Sequence, residues 1–139
     1  GRTSGSKRRH ATGSPVSLVL FLPESPEREA LENALSSTQL PLFAARSLGG
    51  VPFQRIDKMI LITEGRWLTG AGETLARIVD ARPDGVVLLL LREKEEAPPL
   101  PARTLPWRAV ETLFRPVSRS RFETRIRDLA RSLQNATAR

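Results

Sequence analysis

The chain has 139 residues, of which 40% are apolar and 5% aromatic, and it contains neither Cys nor Tyr. This length suits one domain with a single core built from aliphatic side chains. The missing cysteine excludes disulfides and thiolate chemistry, and the lone His10 disfavours a Ser-His-Asp triad or a histidine metal site. The longest apolar run, 86–91, is too short to cross a bilayer, and nothing resembles a signal peptide. We therefore expect a cytoplasmic domain without membrane contact.

The net charge of +7 is unevenly distributed along the chain. Residues 1–23 carry +4, residues 24–114 carry −2, and residues 115–139 carry +5. Basic ends of this kind attract nucleic acid, nucleotides or acidic protein faces, or they form a solvated helix face. Because no helix-turn-helix or zinc finger accompanies the basic residues, we expect no sequence-specific DNA binding.

The first half of the chain predicts a tail followed by alternating strands and helices. Residues 1–14 are rich in Gly, Ser, Thr and basic residues and predict a disordered tail or linker, whereas residues 15–137 predict one domain. The apolar run 17–22 predicts a buried strand. Ser25 and Pro26 are typical of a helix N-terminus, and the apolar spacing continues that helix to about Ser37.

The middle of the chain predicts three more strands. Glycines 49 and 50 and a proline at 52 allow only a short or distorted helix within 47–57. The predicted elements that surround it are strands at 42–45, 59–63 and 86–91 and a helix at 73–81.

The last third of the chain predicts an unusual connection and then a clear final unit. Four prolines between 98 and 106 exclude a regular helix there, so a fourth helix is short or replaced by a proline-rich loop. A fifth strand ends at Leu113-Phe114. A final helix begins near Arg119, and its apolar face consists of Phe122, Ile126, Leu129, Ala130 and Leu133.

Five short strands that alternate with helices favour an α/β fold with helices on both faces of a parallel sheet. Right-handed crossovers and short loops favour a flavodoxin-like, doubly wound arrangement with strand order 2-1-3-4-5.

The last unit also carries a motif, because the fifth strand ends in Arg115-Pro116 and the final helix follows Ser118. Together with the five strand–helix units, this pattern resembles the receiver domain of two-component signalling over residues 16–135. The resemblance implies an acidic pair after the first strand for Mg²⁺ and a phosphorylated Asp after the third. It also implies a Ser or Thr after the fourth strand and a Lys before the proline.

This chain departs from that pattern at each of those places. Glu24 follows Pro23 in place of the acidic pair, and the third strand ends in Thr63-Glu64 without an Asp. Arg92 replaces the hydroxyl residue, and Arg115 replaces the Lys. The resemblance therefore implies a degenerate phosphorylation pocket, a pseudo-receiver without enzymatic activity, and no cofactor. The residues of that pocket are Glu24, Thr63, Glu64, Arg92 and Arg115.

The main functional hypothesis is regulation through protein–protein or interdomain contact. The resemblance implies a partner among the other domains of a sensor histidine kinase, in particular a hybrid kinase, or a separate signalling protein. The candidate partner or ligand surface consists of Trp107, Phe114, Arg115, Pro116, Arg119, Arg121 and Arg125.

Two alternatives stay open. Some pseudo-receivers bind cyclic di-GMP near the last strand and helix, and guanidinium groups suit phosphates and bases. In this alternative Arg115, Arg119, Arg121 and Arg125 bind the nucleotide. The last alternative is a residual acid–base pair of Glu24 and Glu64 at the carboxyl edge of the sheet, which no nucleophile accompanies.

Overall fold

The structure is a computed structural model that describes residues 16–64, 72–82, 85–94 and 110–137. These ranges contain five strands and three α-helices, with two short 3₁₀ turns between β2 and β3. The strands are β1 (Val16–Phe21), β2 (Leu42–Ala45), β3 (Lys58–Glu64), β4 (Val86–Arg92) and β5 (Val110–Phe114). The helices are α1 (Pro26–Ser36), α2 (Gly72–Asp80) and α3 (Arg119–Thr137), and the 3₁₀ turns are Leu48–Gly50 and Phe53–Arg55.

The five strands form one parallel sheet in the order β2-β1-β3-β4-β5. The central strands β1 and β3 are buried along their whole length, and β4 is buried in its five middle residues. Such continuous apolar strands are expected when helices cover both faces of a sheet. The predicted flavodoxin-like fold class and strand order are therefore confirmed.

Two separate cores lie on the two faces of the sheet, because successive side chains of a strand point to opposite sides. Helices α1 and α3 cover one face, where Leu35, Phe122 and Ile126 pack against Ile60 and Leu89. Helix α2 and the 3₁₀ turns cover the other face, where buried residues include Leu61, Leu75 and Leu88. The apolar face predicted for the last helix is part of the first core, with Leu129 partly buried at its margin.

The first helix begins as the sequence predicts. The Ser25 hydroxyl accepts a hydrogen bond from the Arg28 backbone N–H at 3.0 Å, and Pro26 occupies the first turn. Glu27 also lies in this first turn, where a carboxylate interacts favourably with the positive end of the helix dipole. This local arrangement fixes where the Glu27 side chain emerges.

Several element boundaries differ from the predicted ones. The third strand is longer at both ends than predicted and includes Lys58 and Glu64, which are buried although they are charged. The segment 47–57 holds two 3₁₀ turns, in agreement with its glycines and proline. The predicted tail 1–14 and the proline-rich stretch 98–106 lie outside the described residues. Within the described ranges, no helix combines the length and the apolar character needed to cross a membrane.

Candidate functional site

Arg115 lies at the carboxyl edge of the sheet, where the ends of β3, β4 and β5 meet. Its backbone N–H donates to the Arg92 carbonyl oxygen at 2.8 Å, which anchors the end of β5 to the end of β4. The peptide bond between Arg115 and Pro116 is cis. In open α/β sheets this edge is the usual place for a binding site.

Glu27 holds the Arg115 guanidinium in a bidentate ion pair. Arg115 Nε donates to Glu27 Oε2 at 2.8 Å, and Arg115 Nη2 donates to Glu27 Oε1 at 3.0 Å. Bidentate pairs of this kind are strong and directional. These hydrogen bonds, together with the charges of Glu27 and Glu64, raise the pKa of Arg115 despite the opposing effect of burial.

Two further carboxylates surround the same guanidinium. Glu64 is the last residue of β3 and is buried, and its Oε1 accepts from Arg115 Nη2 at 3.3 Å. Glu93 follows β4, is exposed, and places Oε1 at 3.9 Å from Arg115 Nη1. The positive charge of Arg115 is therefore neutralised by side chains of the domain itself.

Thr63 points away from this ion-pair network. Its hydroxyl donates to the Phe21 carbonyl oxygen at 2.7 Å and is fully buried. The hydroxyl thus ties β3 to the end of β1, and it is not presented at the edge of the sheet. The third strand thus ends in a buried Thr and an ion-paired Glu.

The remaining residues of the predicted pocket have other contacts. Glu24 forms an ion pair with Arg46 at 2.6 Å, both side chains are mostly exposed, and this hydrogen bond lowers the pKa of Glu24. The guanidinium carbon of Arg92 lies 5.9 Å from the centre of the Phe114 ring, within the range of a cation–π contact. The structure thus brings Glu64 and Arg115 together and directs Glu24 elsewhere. The loss of phosphorylation at these residues stays a prediction.

Sequence reasoning missed the two partners Glu27 and Glu93. The sequence pattern assigns Glu27 no role at the site, although the first turn of α1, where Glu27 lies, opens onto the same sheet edge as Arg115. Glu93 directly follows the fourth strand, so its position at the edge was readable from the strand end. Within the described ranges, no three acidic or imidazole side chains meet in an arrangement that could hold a metal ion.

The arginines of the predicted ligand surface are mostly paired with carboxylates. Arg119 Nε donates to Glu123 Oε2 at 2.9 Å, and Arg125 Nη1 donates to Glu111 Oε1 at 2.6 Å. Arg121 is exposed and forms no ion pair with a described carboxylate. Phe114 and Pro116 are exposed, whereas Trp107 lies outside the described residues. The four arginines proposed to bind a nucleotide therefore do not form one free cationic cluster.

A groove of about 600 Å³ separates β5 from α3 on the face that α1 and α3 cover. Its lining combines two leucines with two arginines, two carboxylates and three hydroxyl residues. The lining residues are Glu111, Leu113, Ser120, Arg121, Thr124, Arg125, Asp128, Leu129 and Ser132. Of the surface that the sequence predicts for partner or ligand contact, only Arg121 and Arg125 are among the lining residues of this groove.

Comparison with known proteins gives a structural match and no sequence match. No family model matches the chain, and no curated protein matches it. The similar solved structures include the crystal structure of a response regulator receiver domain protein (CheY-like) from Methanospirillum hungatei JF-1. That match has a TM-score of 0.55 and 11% sequence identity and covers 86% of this chain and 98% of the other. The chain has the fold of a receiver domain.

Proposed function

We propose that this receiver-like domain is a signalling module that is not phosphorylated and acts through contact with another protein domain. One observation carries the proposal: at the edge of the sheet, the Arg115 guanidinium is already bound by Glu27 and Glu64. A phosphorylated pocket needs a free carboxylate nucleophile and a cation that neutralises the phosphoryl oxygens. Here the buried carboxylate and the basic residue neutralise each other.

The same ion pair supplies a reason for a constant signalling state. In a receiver, a new negative charge at the end of the third strand engages the basic residue at the end of the fifth. In this chain Glu64 places a permanent negative charge there, and its Oε1 lies 3.3 Å from Arg115 Nη2. The contact surface on β5 and α3 then has one conformation, and its output depends on whether a partner is present.

Phosphorylation is tested by intact mass after incubation with acetyl phosphate and Mg²⁺. We expect no change in mass, because Glu64 is ion-paired and no Asp ends β3. An active receiver in the same mixture is the positive control for the phosphodonor. A stable mass increase of one phosphoryl group on this chain would refute the first half of the proposal.

The contact role is tested by photo-crosslinking in the host cell. A benzoylphenylalanine at position 114 lies on exposed β5, and one at Ala44, on exposed β2 at the opposite edge of the sheet, is the matched control. We expect a discrete adduct at position 114 whose second protein is a sensor kinase or another signalling protein. No adduct at 114, or the same adduct at 44, would contradict the assigned surface.

A second candidate function is the binding of cyclic di-GMP or a similar nucleotide. The observation that favours it is the free, exposed Arg121 in a groove that also holds the hydroxyls of Ser120, Thr124 and Ser132. The ion pairs of Arg115, Arg119 and Arg125 oppose a site that uses all four arginines. Calorimetry at about 150 mM salt, where nonspecific attraction is screened, separates the two functions. Binding heat with the unmodified chain that disappears in Arg121→Ala supports nucleotide binding. If the unmodified chain gives no binding heat, nucleotide binding is excluded.

A further inference from the structure

Strand β5 is one edge of the described sheet, and two of its backbone N–H groups have no acceptor among the described residues. Among the described strands it pairs with β4 alone. The Arg115 N–H points toward β4, where it donates to Arg92. Because backbone groups alternate along a strand, the N–H groups of Thr112 and Phe114 point away from β4. No described residue accepts a hydrogen bond from them.

The groove between β5 and α3 runs beside this open edge. Leu113 belongs to the core that α3 covers, so the side chains of Glu111 and Leu113 point to the groove side of the sheet. A strand added beside β5 would continue the pleat, and every second side chain of it would enter the groove. The groove would therefore contact every second residue of an extended segment and determine which side chains fit at those positions.

The charges of α3 determine which side chains fit. The described helix carries five arginines against Glu123 and Asp128. Arg121 and Arg125 line the groove together with the carboxylates Glu111 and Asp128. Arg125 is paired with Glu111, and Asp128 lies 3.8 Å from Arg131, so the exposed Arg121 is the lining charge that has no ion-pair partner among the described residues. An acidic side chain in the groove would form an ion pair with Arg121, whereas a basic one would be repelled.

The opposite side of β5 favours an apolar residue. Phe114 is 45% exposed and is the large apolar side chain that the described surface leaves open. A residue of an added strand that points to this side would cover part of the Phe114 ring. The edge is thus complementary to a segment in which acidic and apolar residues alternate.

From this combination we infer that β5 accepts an extended acidic segment of a partner protein as a sixth strand of the sheet. The inference rests on the proposed contact role and names its mode, which is β-strand addition. Main-chain hydrogen bonds to Thr112 and Phe114 supply affinity, and acidic side chains near Arg121 supply selectivity. A small phosphate ligand would use Arg121 but would leave the two N–H groups unpaired.

The test uses the whole chain with a segment of alternating Glu and Val joined to its C-terminus by a Gly-Ser linker. Such a linker gives an effective concentration in the millimolar range, so that even weak strand pairing is detected. Hydrogen exchange of single amides is measured by NMR. We expect exchange at Thr112 and Phe114 to slow by about tenfold or more, and no slowing when Lys replaces Glu in the segment.

Two variants distinguish a specific contact in the groove from nonspecific attraction to the basic helix α3. Arg121→Ala is expected to reduce the protection about two- to fivefold, the range for an exposed ion pair. Arg127→Ala is the matched control, because Arg127 bonds to Ser37 of the α1 terminus and lies outside the groove lining; it is expected to have no effect. An equal loss of amide protection in Arg121→Ala and Arg127→Ala would overturn the inference.

Two other outcomes would also overturn it. Unprotected amides at Thr112 and Phe114 in the fusion would exclude strand addition. Protection already present without the fusion, and lost in the Glu95→Lys, Glu96→Lys variant, would assign the edge to the chain's own acidic segment. A specific crosslink at position 114 would leave the contact role intact in either case, so the two failures are distinguishable.

Discussion

The ion pair between Glu64 and Arg115 allows a quantitative test of the network at the sheet edge. The perturbations are Glu64→Gln, Arg115→Gln and the double variant, which together form a double-mutant cycle. Gln keeps the size and polarity of Glu but removes its charge. The cycle isolates the interaction of Glu64 with Arg115 from the separate contact that Arg115 makes with Glu27.

The expected coupling follows from the distance and the burial. At 3.3 Å the Coulomb energy is about 5 kcal/mol with an effective dielectric constant of about 20. The desolvation of both charges offsets most of this, since the Glu64 and Arg115 side chains are only 11% and 18% exposed. We expect a net coupling of about 1–2 kcal/mol, above the ~0.2–1 kcal/mol of exposed pairs.

The two single variants are expected to lose different amounts of unfolding free energy. Arg115→Gln removes the ion pairs of Arg115 with both Glu27 and Glu64 and is expected to cost about 2–4 kcal/mol of unfolding free energy. Glu64→Gln costs less, about 1 kcal/mol, because Arg115 keeps its bidentate pair with Glu27.

The assay is urea unfolding followed by circular dichroism, with equal m-values required across the four proteins. Glu24→Gln is the control, because Glu24 pairs with Arg46 at an exposed position, and its unfolding midpoint should not move. A coupling below about 0.3 kcal/mol, within the error of such cycles, would show that the charges around Arg115 do not stabilise the fold.

Three further predictions concern the core and the surface. Phe122→Ala removes a fully buried ring and should cost about 3–5 kcal/mol; a loss below about 1 kcal/mol in urea unfolding would contradict the assigned core. Lys58→Met should stabilise the protein by about 1–2 kcal/mol, because the buried Lys58 Nζ has no hydrogen-bond partner among the described residues, and a lower melting temperature would refute this. The hydrogen bond from Arg119 lowers the pKa of Glu123 below 4.5. The stability from this pair is therefore present above pH 4.5 and is lost as the pH falls through the lowered pKa. In Arg119→Ala the carboxyl titration of Glu123, followed by NMR, should move up toward 4.5.

The fold was predictable because its signals are local and repeated. Apolar runs without polar interruption predict buried parallel strands, and the fixed handedness of the crossovers leaves few possible strand orders. The start of α1 was predictable from Ser25 and Pro26, and its two capping features are present in the structure. The ends of β3 were not predictable, because burial of Lys58 and Glu64 depends on helices and strands far along the chain.

The candidate site was only partly predictable, since side-chain partners are set by tertiary distance. The identity of Arg115 and its place at the end of β5 follow from the sequence. The preference of Arg115 for Glu27 over Glu24 does not follow from the sequence, because it depends on the direction in which the first turn of α1 leaves the sheet. Glu24 lies nearer β2 and pairs with Arg46, although it directly follows the first apolar run.

The bidentate pair between Glu27 and Arg115 also has a consequence for the order of folding. It joins residues that are 88 positions apart, so the loop that it closes spans most of the domain. Until β5 has docked, Glu64 lacks its contact with Arg115, and β4 is an apolar strand with one open edge. A chain that lacks residues after 109 should therefore aggregate and fail to fold. We therefore expect the last strand and the first helix to close the domain together, in a single cooperative folding step.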